Sequence, residues 1–236
     1  MTEGDEDRSE QRRGPGSRYS IFVGIAFLIL IVIATANTLS TRDDGILGAT
    51  TADVGEPLPQ FAVPELAAGP DNDANIFQDD CDTASNPCPE GDRRTPACQV
   101  DVADVIRVCD LFDKPLVISF WFTGGADCLP TQDIVDRVAQ RYDDRVNFLS
   151  INVRDDRDKA QGIVVERGWE VPVGWDRDGA VSNLYRVGGC PTVAFAYPGG
   201  LLSDAVIGVE DLSEASLTAD VERLIRGSER RAEEER

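Results

Sequence analysis

The stretch LVISFWF, residues 116–122, contains a single polar residue, Ser119. A near-continuous apolar run of this length predicts a central parallel strand that is covered on both faces. The next eight residues, TGGADCLP (123–130), contain two adjacent glycines and one cysteine, Cys128. Apolar residues at helical spacing follow over residues 133–142. The sequence therefore predicts a buried strand, a turn that carries Cys128, and a helix.

The rest of the chain alternates between strand and helix patterns, which is typical of an α/β domain. Further strands are predicted at 61–66, 146–153, 192–197 and 201–208, and further helices at 156–169, 180–187 and 212–226. Residues 227–236 are predicted to form a charged tail with no core of its own.

The composition limits what this chain can do. It has 236 residues, a formal net charge of −20 and no histidine. A surface that binds nucleic acid needs positive charge to displace counterions from phosphates, so this acidity argues against a nucleic-acid partner. Without histidine, the chain lacks the most common zinc ligand and the usual base that activates serine or cysteine. The run DNDAN (71–75) starts like a calcium loop but lacks its later glycine and glutamate. We therefore expect chemistry based on thiols, carboxylates or the backbone, and no metal or cofactor.

The N-terminal region predicts a membrane anchor. Residues 20–39, SIFVGIAFLILIVIATANTL, carry no charge and have about the length that spans a bilayer. Four arginines precede this run, whereas only Arg42 follows it closely, beside two aspartates. The positive-inside rule therefore predicts a cytoplasmic tail (1–18) and a single transmembrane anchor (19–40). An extracytoplasmic tether (41–53) and an extracytoplasmic domain (54–226) are predicted to follow. A cleavable signal peptide is the alternative, because Ala34-Thr35-Ala36 resembles a cleavage site.

The six cysteines fit an oxidising compartment, where disulfide bonds persist. Four of them lie in a polar insertion at 67–112, which is rich in Asp, Pro, Asn and Gly. Their gaps of six, nine and ten residues are too wide for the paired cysteines of a zinc site, so disulfide bonds are predicted. The simplest of the three possible pairings is Cys81–Cys88 with Cys98–Cys109.

Four stretches of the sequence resemble the membrane-anchored, thioredoxin-fold thiol–disulfide oxidoreductases of the TlpA type, which are neighbours of the peroxiredoxins. In chain order they are VGEPLPQFAVPEL (54–66), KPLVISFWFT (114–123), WEVPVGWDRDGAVSNLYRVGG (169–189) and GCPTVAFAYPGG (189–200). The resemblance implies a thioredoxin-like fold, in which helices flank a central mixed sheet. It also implies an activated cysteine at an exposed helix N-terminus and a second cysteine that resolves the mixed disulfide. The insertion at 67–112 lies outside the resemblance.

The chain departs from this family at the redox turn itself. Counted along from Trp121, the position of the attacking cysteine holds Gly125, and only the second cysteine remains, as Cys128. Ser119 stands where thioredoxins place a buried carboxylate for proton transfer. Pro130 comes earlier than the helix proline of the family. The ordinary dithiol mechanism therefore cannot operate unchanged, because Gly125 has no sulfur.

A further cysteine, Cys190, stands directly before Pro191, whose counterpart is cis in this family. In the thioredoxin fold that loop lies against the redox turn, so the resemblance predicts that Cys128 and Cys190 are neighbours. One hypothesis is a relocated redox pair, with Cys128, Cys190 and Pro191 as the catalytic residues. A second is a structural disulfide that locks the old active site. A third makes Cys128 a lone peroxidatic thiol, although that chemistry needs a threonine where Gly125 stands.

These hypotheses belong to two classes of function. The first is an oxidoreductase that acts on the thiols or disulfides of extracytoplasmic proteins. The second is a membrane-tethered binding module that keeps the thioredoxin surface for recognition without turnover, since an extended peptide can bind through backbone hydrogen bonds alone. The fold by itself does not choose between them.

Overall fold

The computed structural model divides the chain into a short N-terminal unit and a folded domain. The residues it describes are 23–25, 27–29, 31, 54–78, 95–125, 128–190, 192–207 and 212–234. The described residues of the N-terminal unit are helical and exposed. Within the described part of the chain, we find no helix whose length and hydrophobicity would let it span a bilayer. The predicted cytoplasmic tail, the predicted tether and most of the predicted anchor lie outside the described residues. The membrane anchor therefore stays a prediction from the sequence.

A five-stranded mixed sheet forms the centre of the domain. The elements are, in chain order, β1 (Ala62–Pro64), β2 (Val105–Arg107), β3 (Leu116–Trp121), α1 (Leu129–Tyr142), β4 (Asn147–Val153), α2 (Arg157–Arg167), β5 (Val173–Asp176), α3 (Ala180–Leu184), β6 (Thr192–Tyr197), β7 (Leu201–Ile207) and α4 (Glu214–Glu234). The strand order in this sheet is β5-β4-β3-β6-β7, with β3, β4 and β5 parallel, and with β6 antiparallel to both β3 and β7. The predicted mixed sheet is therefore confirmed. The sequence pattern did not indicate β5, which is only four residues long.

The central strand β3 supplies side chains to a core on each face of the sheet, as its apolar run predicted. Val117 and Trp121 belong to the core that also contains the buried side chains of α1 and α4. Ile118 and Phe120 belong to the core on the other face, together with Phe61 from the segment before β1. All six residues of β3 are buried. Such a strand can only be stable at the centre of a sheet that is covered on both faces.

The N-terminal segment of the domain protects both edges of this sheet. The backbone N–H of Leu58 donates to the carbonyl oxygen of Gly200 at 2.7 Å, beside the start of β7. On the opposite edge, the N–H of Leu66 donates to the carbonyl oxygen of Val173 at 2.8 Å. Paired edge groups are not free to recruit another strand. The segment 54–66 is therefore an integral part of the domain.

The helix α1 begins earlier than the sequence pattern predicted, at Leu129 rather than at residue 133. Cys128 occupies the position before the helix, and Pro130 lies in its first turn. A proline is tolerated there because the N–H groups of the first turn have no partner within the helix. Cys128 therefore stands directly at the start of a helix of 14 residues.

The predicted end of the last helix at residue 226 is wrong, because α4 continues to Glu234. Gly227 is buried, and a Cβ atom built on it would lie 2.7 Å from a ring carbon of Tyr197. The guanidinium of Arg231 lies 5.0 Å from the centre of the same ring. Residues 227–234 of the expected tail are therefore helical, and Gly227 and Arg231 among them lie against Tyr197 of β6.

The cysteine-bearing insertion is built into the domain more firmly than its polar composition suggested. Its strand β2 pairs with β1, and Val108 is completely buried. A disulfide bond joins Cys98 to Cys109, with their Cα atoms 5.8 Å apart, as the simplest pairing predicted. The pairing predicted for Cys81 and Cys88 lies outside the described residues.

Candidate functional site

A disulfide bond joins Cys128 to Cys190 beside the end of β3. Cys128 precedes α1, and Cys190 lies two residues before β6, whose first residue pairs with Phe120 of β3. The Cα atoms of the two cysteines are 5.7 Å apart, although 62 positions separate them in the sequence. The predicted proximity of Cys128 and Cys190 is confirmed, and this bond leaves no lone thiol at Cys128. Pro191, the third predicted site residue, lies outside the described residues.

Both residues of this disulfide are buried. Cys128 is 1% exposed and Cys190 is 3% exposed. They belong to the same core as Trp121 and Trp169, whose rings meet edge to face with their centres 5.1 Å apart. Thiol–disulfide exchange requires an attacking thiolate to reach one of the two sulfur atoms. Exchange at this bond therefore requires a local opening of the turn before α1 or of the loop before β6.

A network of neutral side chains connects α1 to the two central strands, one helical turn beyond Cys128. The hydroxyl of Ser119 donates to Oε1 of Gln132 at 3.1 Å, and Nε2 of Gln132 donates to the hydroxyl of Ser150 at 2.8 Å. All three side chains are completely buried, and buried polar groups need such partners to avoid a large desolvation cost. None of them ionises near neutral pH. The network therefore offers no carboxylate that could accept a proton from a buried thiol.

The turn between β3 and α1 has a backbone conformation that favours glycine at the position of the missing cysteine. Gly125 has a φ of +118°, which L-amino acids rarely adopt. The residue is exposed, and a Cβ atom built on it would lie 3.5 Å from the ring of Phe122, which is an ordinary contact. Backbone strain, and not lack of space, therefore disfavours a cysteine at this position.

The start of this turn is fastened to the end of β4 by Asp155. Its carboxylate accepts a hydrogen bond from the backbone N–H of Thr123 at 2.9 Å and another from the Thr123 hydroxyl. Nδ2 of Asn152 donates to the same carboxylate at 2.8 Å, and the ammonium group of Lys159 donates to the hydroxyl oxygen of Thr123 at 2.8 Å. We call these four residues, Thr123, Asn152, Asp155 and Lys159, the turn clamp. They connect the turn between β3 and α1 to β4 and α2.

Sequence reasoning missed most of the polar residues of the buried network and of the turn clamp. Gln132 carried one signal, because it lies three residues before Val135 and so falls on the buried face of α1. Ser150 and Asn152 lie in β4, whose mainly apolar sequence predicts a buried strand and does not indicate polar contacts. Asp155 had no sequence signal that distinguished it from the aspartates next to it in the chain, since only the folded chain brings it against Thr123.

Comparisons with known proteins agree with this fold. No family model matches the chain. Over 104 residues it is 24% identical to the thiol–disulfide oxidoreductase ResA of Oceanobacillus iheyensis, and the match covers 44% of this chain and 54% of that protein. The chain thus spans about half the length of the curated relative it matches.

Two solved structures extend the comparison beyond that match. The first is a protein from Chlorobium tepidum assigned as a thiol:disulfide interchange protein DsbE, with a TM-score of 0.54, 16% identity, and coverage of 73% of this chain and 98% of that chain. The second is the thioredoxin domain of a thiol–disulfide oxidoreductase from Bacteroides vulgatus, with a TM-score of 0.50, 14% identity, and coverage of 73% and 97%. Likeness at these identities establishes the fold alone. The chain therefore has a thioredoxin-like fold of the kind found in thiol–disulfide oxidoreductases.

Proposed function

We propose that this protein is a membrane-tethered, extracytoplasmic thioredoxin-like protein with a thiol–disulfide redox role, and that Cys128 and Cys190 are its redox pair. One observation carries the proposal. The two cysteines form a disulfide between the start of α1 and the loop before β6, beside the turn where the resembling family holds its own cysteine pair. Protein thiols or disulfides outside the cytoplasm are the proposed substrates.

The exchange transfers two electrons from the two thiols of the partner to the Cys128–Cys190 disulfide and needs no cofactor. After local opening, a thiolate of the partner attacks the sulfur of Cys190, which forms a mixed disulfide and releases the sulfur of Cys128 as a thiolate. The start of α1 stabilises that negative charge, because the first N–H groups of a helix carry partial positive charge. A second thiol of the partner then attacks the mixed disulfide. The partner leaves as a disulfide, and Cys128 and Cys190 remain as the reduced pair; the reverse sequence reduces a partner disulfide.

The burial of both cysteines favours a second candidate function, a binding module without turnover. A disulfide whose residues are 1% and 3% exposed resists attack, and the neutral network around Gln132 supplies no proton acceptor. In that case the bond locks the old active site, and the domain binds an extended peptide through backbone hydrogen bonds, as the thioredoxin fold allows without a reactive sulfur.

A redox titration of the full-length chain separates the two candidates. The protein is equilibrated with glutathione buffers, its thiols are trapped by alkylation, and peptide mapping measures the reduced fraction of each bond. If Cys128 and Cys190 are a redox pair, their disulfide should be reduced at a potential above about −300 mV. If the disulfide is a structural lock, it should stay oxidised in all of the glutathione buffers. The Cys98–Cys109 bond of the same molecule is the matched structural reference. Loss of turnover of a small-molecule disulfide in both Cys128→Ser and Cys190→Ser is expected, and turnover that survives either change contradicts the redox role.

The membrane tether rests on the uncharged run at 20–39 and on the arginines that precede it. A membrane-impermeant protease added to intact cells should release the domain from its anchor by cutting in the tether, 41–53. Survival of the full-length chain, under conditions that digest an external control protein, contradicts this topology.

A further inference from the structure

We propose that Asp155 is a positioning residue for the Cys128–Cys190 pair: it holds the turn at Thr123 in place, so that the two thiols of the reduced protein stay close enough to form the disulfide again. This inference rests on the redox role proposed above. It concerns a carboxylate that acts through the turn and not on either sulfur atom.

The hydrogen bonds of the Asp155 side chain are directed at the turn and at the sheet. Both of its oxygens lie near the backbone nitrogen of Thr123, at 3.2 and 2.9 Å, and one also accepts the Thr123 hydroxyl. A bond from a neutral N–H to a carboxylate is stronger than one to a neutral acceptor. Lys159 donates to the same hydroxyl oxygen at 2.8 Å. Thr123 is therefore held through both its backbone and its side chain.

The other side of the clamp is rigid. Asn152, which donates to Asp155 at 2.8 Å, is completely buried in β4. Its Cα atom is paired in the parallel ladder with that of Trp121, the last residue of β3. The backbone oxygen of Asp155 also accepts the ring N–H of Trp175 at 3.1 Å. Asp155 thus transfers the rigidity of the central sheet to the first residue of the turn that leads to Cys128.

This clamp acts differently on the two redox states. In the oxidised protein, the disulfide itself ties the start of α1 to the loop before β6. In the reduced protein no covalent bond does so, and the turn depends more strongly on Asp155. Removal of the carboxylate should therefore free the turn mainly in the reduced state. The disulfide can then form only after the turn is ordered again, and ordering one residue lowers the equilibrium constant for disulfide formation by about tenfold. Asp155 should accordingly favour the disulfide over the dithiol.

The experiment measures the equilibrium between the reduced pair and oxidised dithiothreitol, which yields the protein disulfide and reduced dithiothreitol with two electrons and two protons transferred. The full-length chain is equilibrated with dithiothreitol mixtures and its thiols are trapped and mapped. In Asp155→Ala the equilibrium constant for disulfide formation should fall about tenfold, a shift of about 30 mV to higher potential. Thr123→Val, which keeps the backbone N–H, should shift it less and in the same direction.

Asp133→Ala is the matched control. Asp133 is also a partly buried carboxylate, and it accepts the ring N–H of Trp169 at 2.8 Å and a guanidinium N–H of Arg167 at 2.6 Å. None of these contacts involves the redox turn. The equilibrium constant of this variant should stay within about twofold of that of the wild type, even if its melting temperature falls.

Two results overturn the proposal. One is an Asp155→Ala protein that is folded and keeps the wild-type equilibrium constant within about twofold; the other is an equal fall in Asp133→Ala. If Asp155→Ala does not fold, Asp155→Asn and Thr123→Val decide the question by the same measurement. Failure of the redox role is a separate result, namely a wild-type bond that stays oxidised in every glutathione buffer. The more strongly reducing dithiothreitol mixtures still compare the variants in that case.

Discussion

The backbone at Gly125 gives a sharp test of why this turn lacks the first cysteine of the resembling family. Gly124 and Gly125 are adjacent and exposed, but only Gly125 has a positive φ, at +118°. A Cβ atom built on Gly124 has no neighbour within 4 Å, and one built on Gly125 makes an ordinary contact. The pair Gly125→Ala and Gly124→Ala therefore compares backbone strain with almost no difference in packing.

The structure sets the size of the expected effect. A side chain held at so unfavourable a φ costs about 1–3 kcal/mol. Alanine at Gly124 should be neutral or stabilise by up to about 1 kcal/mol, since it restricts only the unfolded chain. The free energies of unfolding of the two variants should therefore differ by about 2 kcal/mol, with Gly125→Ala the less stable. With a urea dependence of about 2 kcal/mol per molar, the midpoints should lie about 1 M apart.

Urea unfolding of the oxidised full-length variants, followed by tryptophan fluorescence and by circular dichroism, measures this difference. The slopes of the two transitions must agree for the comparison to hold. Midpoints that coincide refute the reasoning, because a side chain at position 125 would then cause no backbone strain. The absence of a cysteine at this position would then need another explanation.

Two further predictions concern stability away from the site. Burial raises the pKa of the Asp176 carboxyl above its ordinary value of 3.8. The folded protein therefore holds this proton more tightly than the unfolded chain, and the resulting stabilisation is fully present below pH 3.8 and is lost as the pH rises through the raised pKa. Asp176→Asn should flatten this decline when free energies of unfolding are measured from about pH 4 to 7. Gly227→Ala should destabilise by about 1–3 kcal/mol because its Cβ atom would lie 2.7 Å from the ring of Tyr197. The matched change in α2, Gly162→Ala, has open space around it and should stabilise by about 0.5–1 kcal/mol in the same thermal or urea assay.

Local patterns predicted most of the elements to within a few residues. The apolar run that forms β3 and the turn between β6 and β7 are recognisable because burial on both faces and glycine at a hairpin leave direct marks on the sequence. The pattern failed at ends and short elements. The helix α1 begins four residues before the segment whose apolar residues have helical spacing, and β5 has only four residues. The last turns of α4 are polar in sequence, and Arg231 within them lies against the ring of Tyr197.

The candidate site was predictable only in its cysteines. The resemblance indicated that Cys128 and Cys190 would be neighbours, and the disulfide confirms this. It did not indicate the hydrogen bonds of Gln132 and Asp155 near the turn. Gln132 and Asp155 are ordinary polar residues in the sequence, and their partners Ser119 and Thr123 lie 13 and 32 positions away.

The sequence by itself determined the class of fold, the absence of histidine chemistry and the loss of the first cysteine, because these depend on residue identity and on local periodicity. Only the tertiary structure decided that the remaining cysteine is bonded to Cys190, that both are buried, and that Asp155 holds the turn. The physical reason is that exposure, the approach of two thiols and the direction of a hydrogen bond depend on segments far apart in the chain. Those segments meet only when the sheet and its helices have packed.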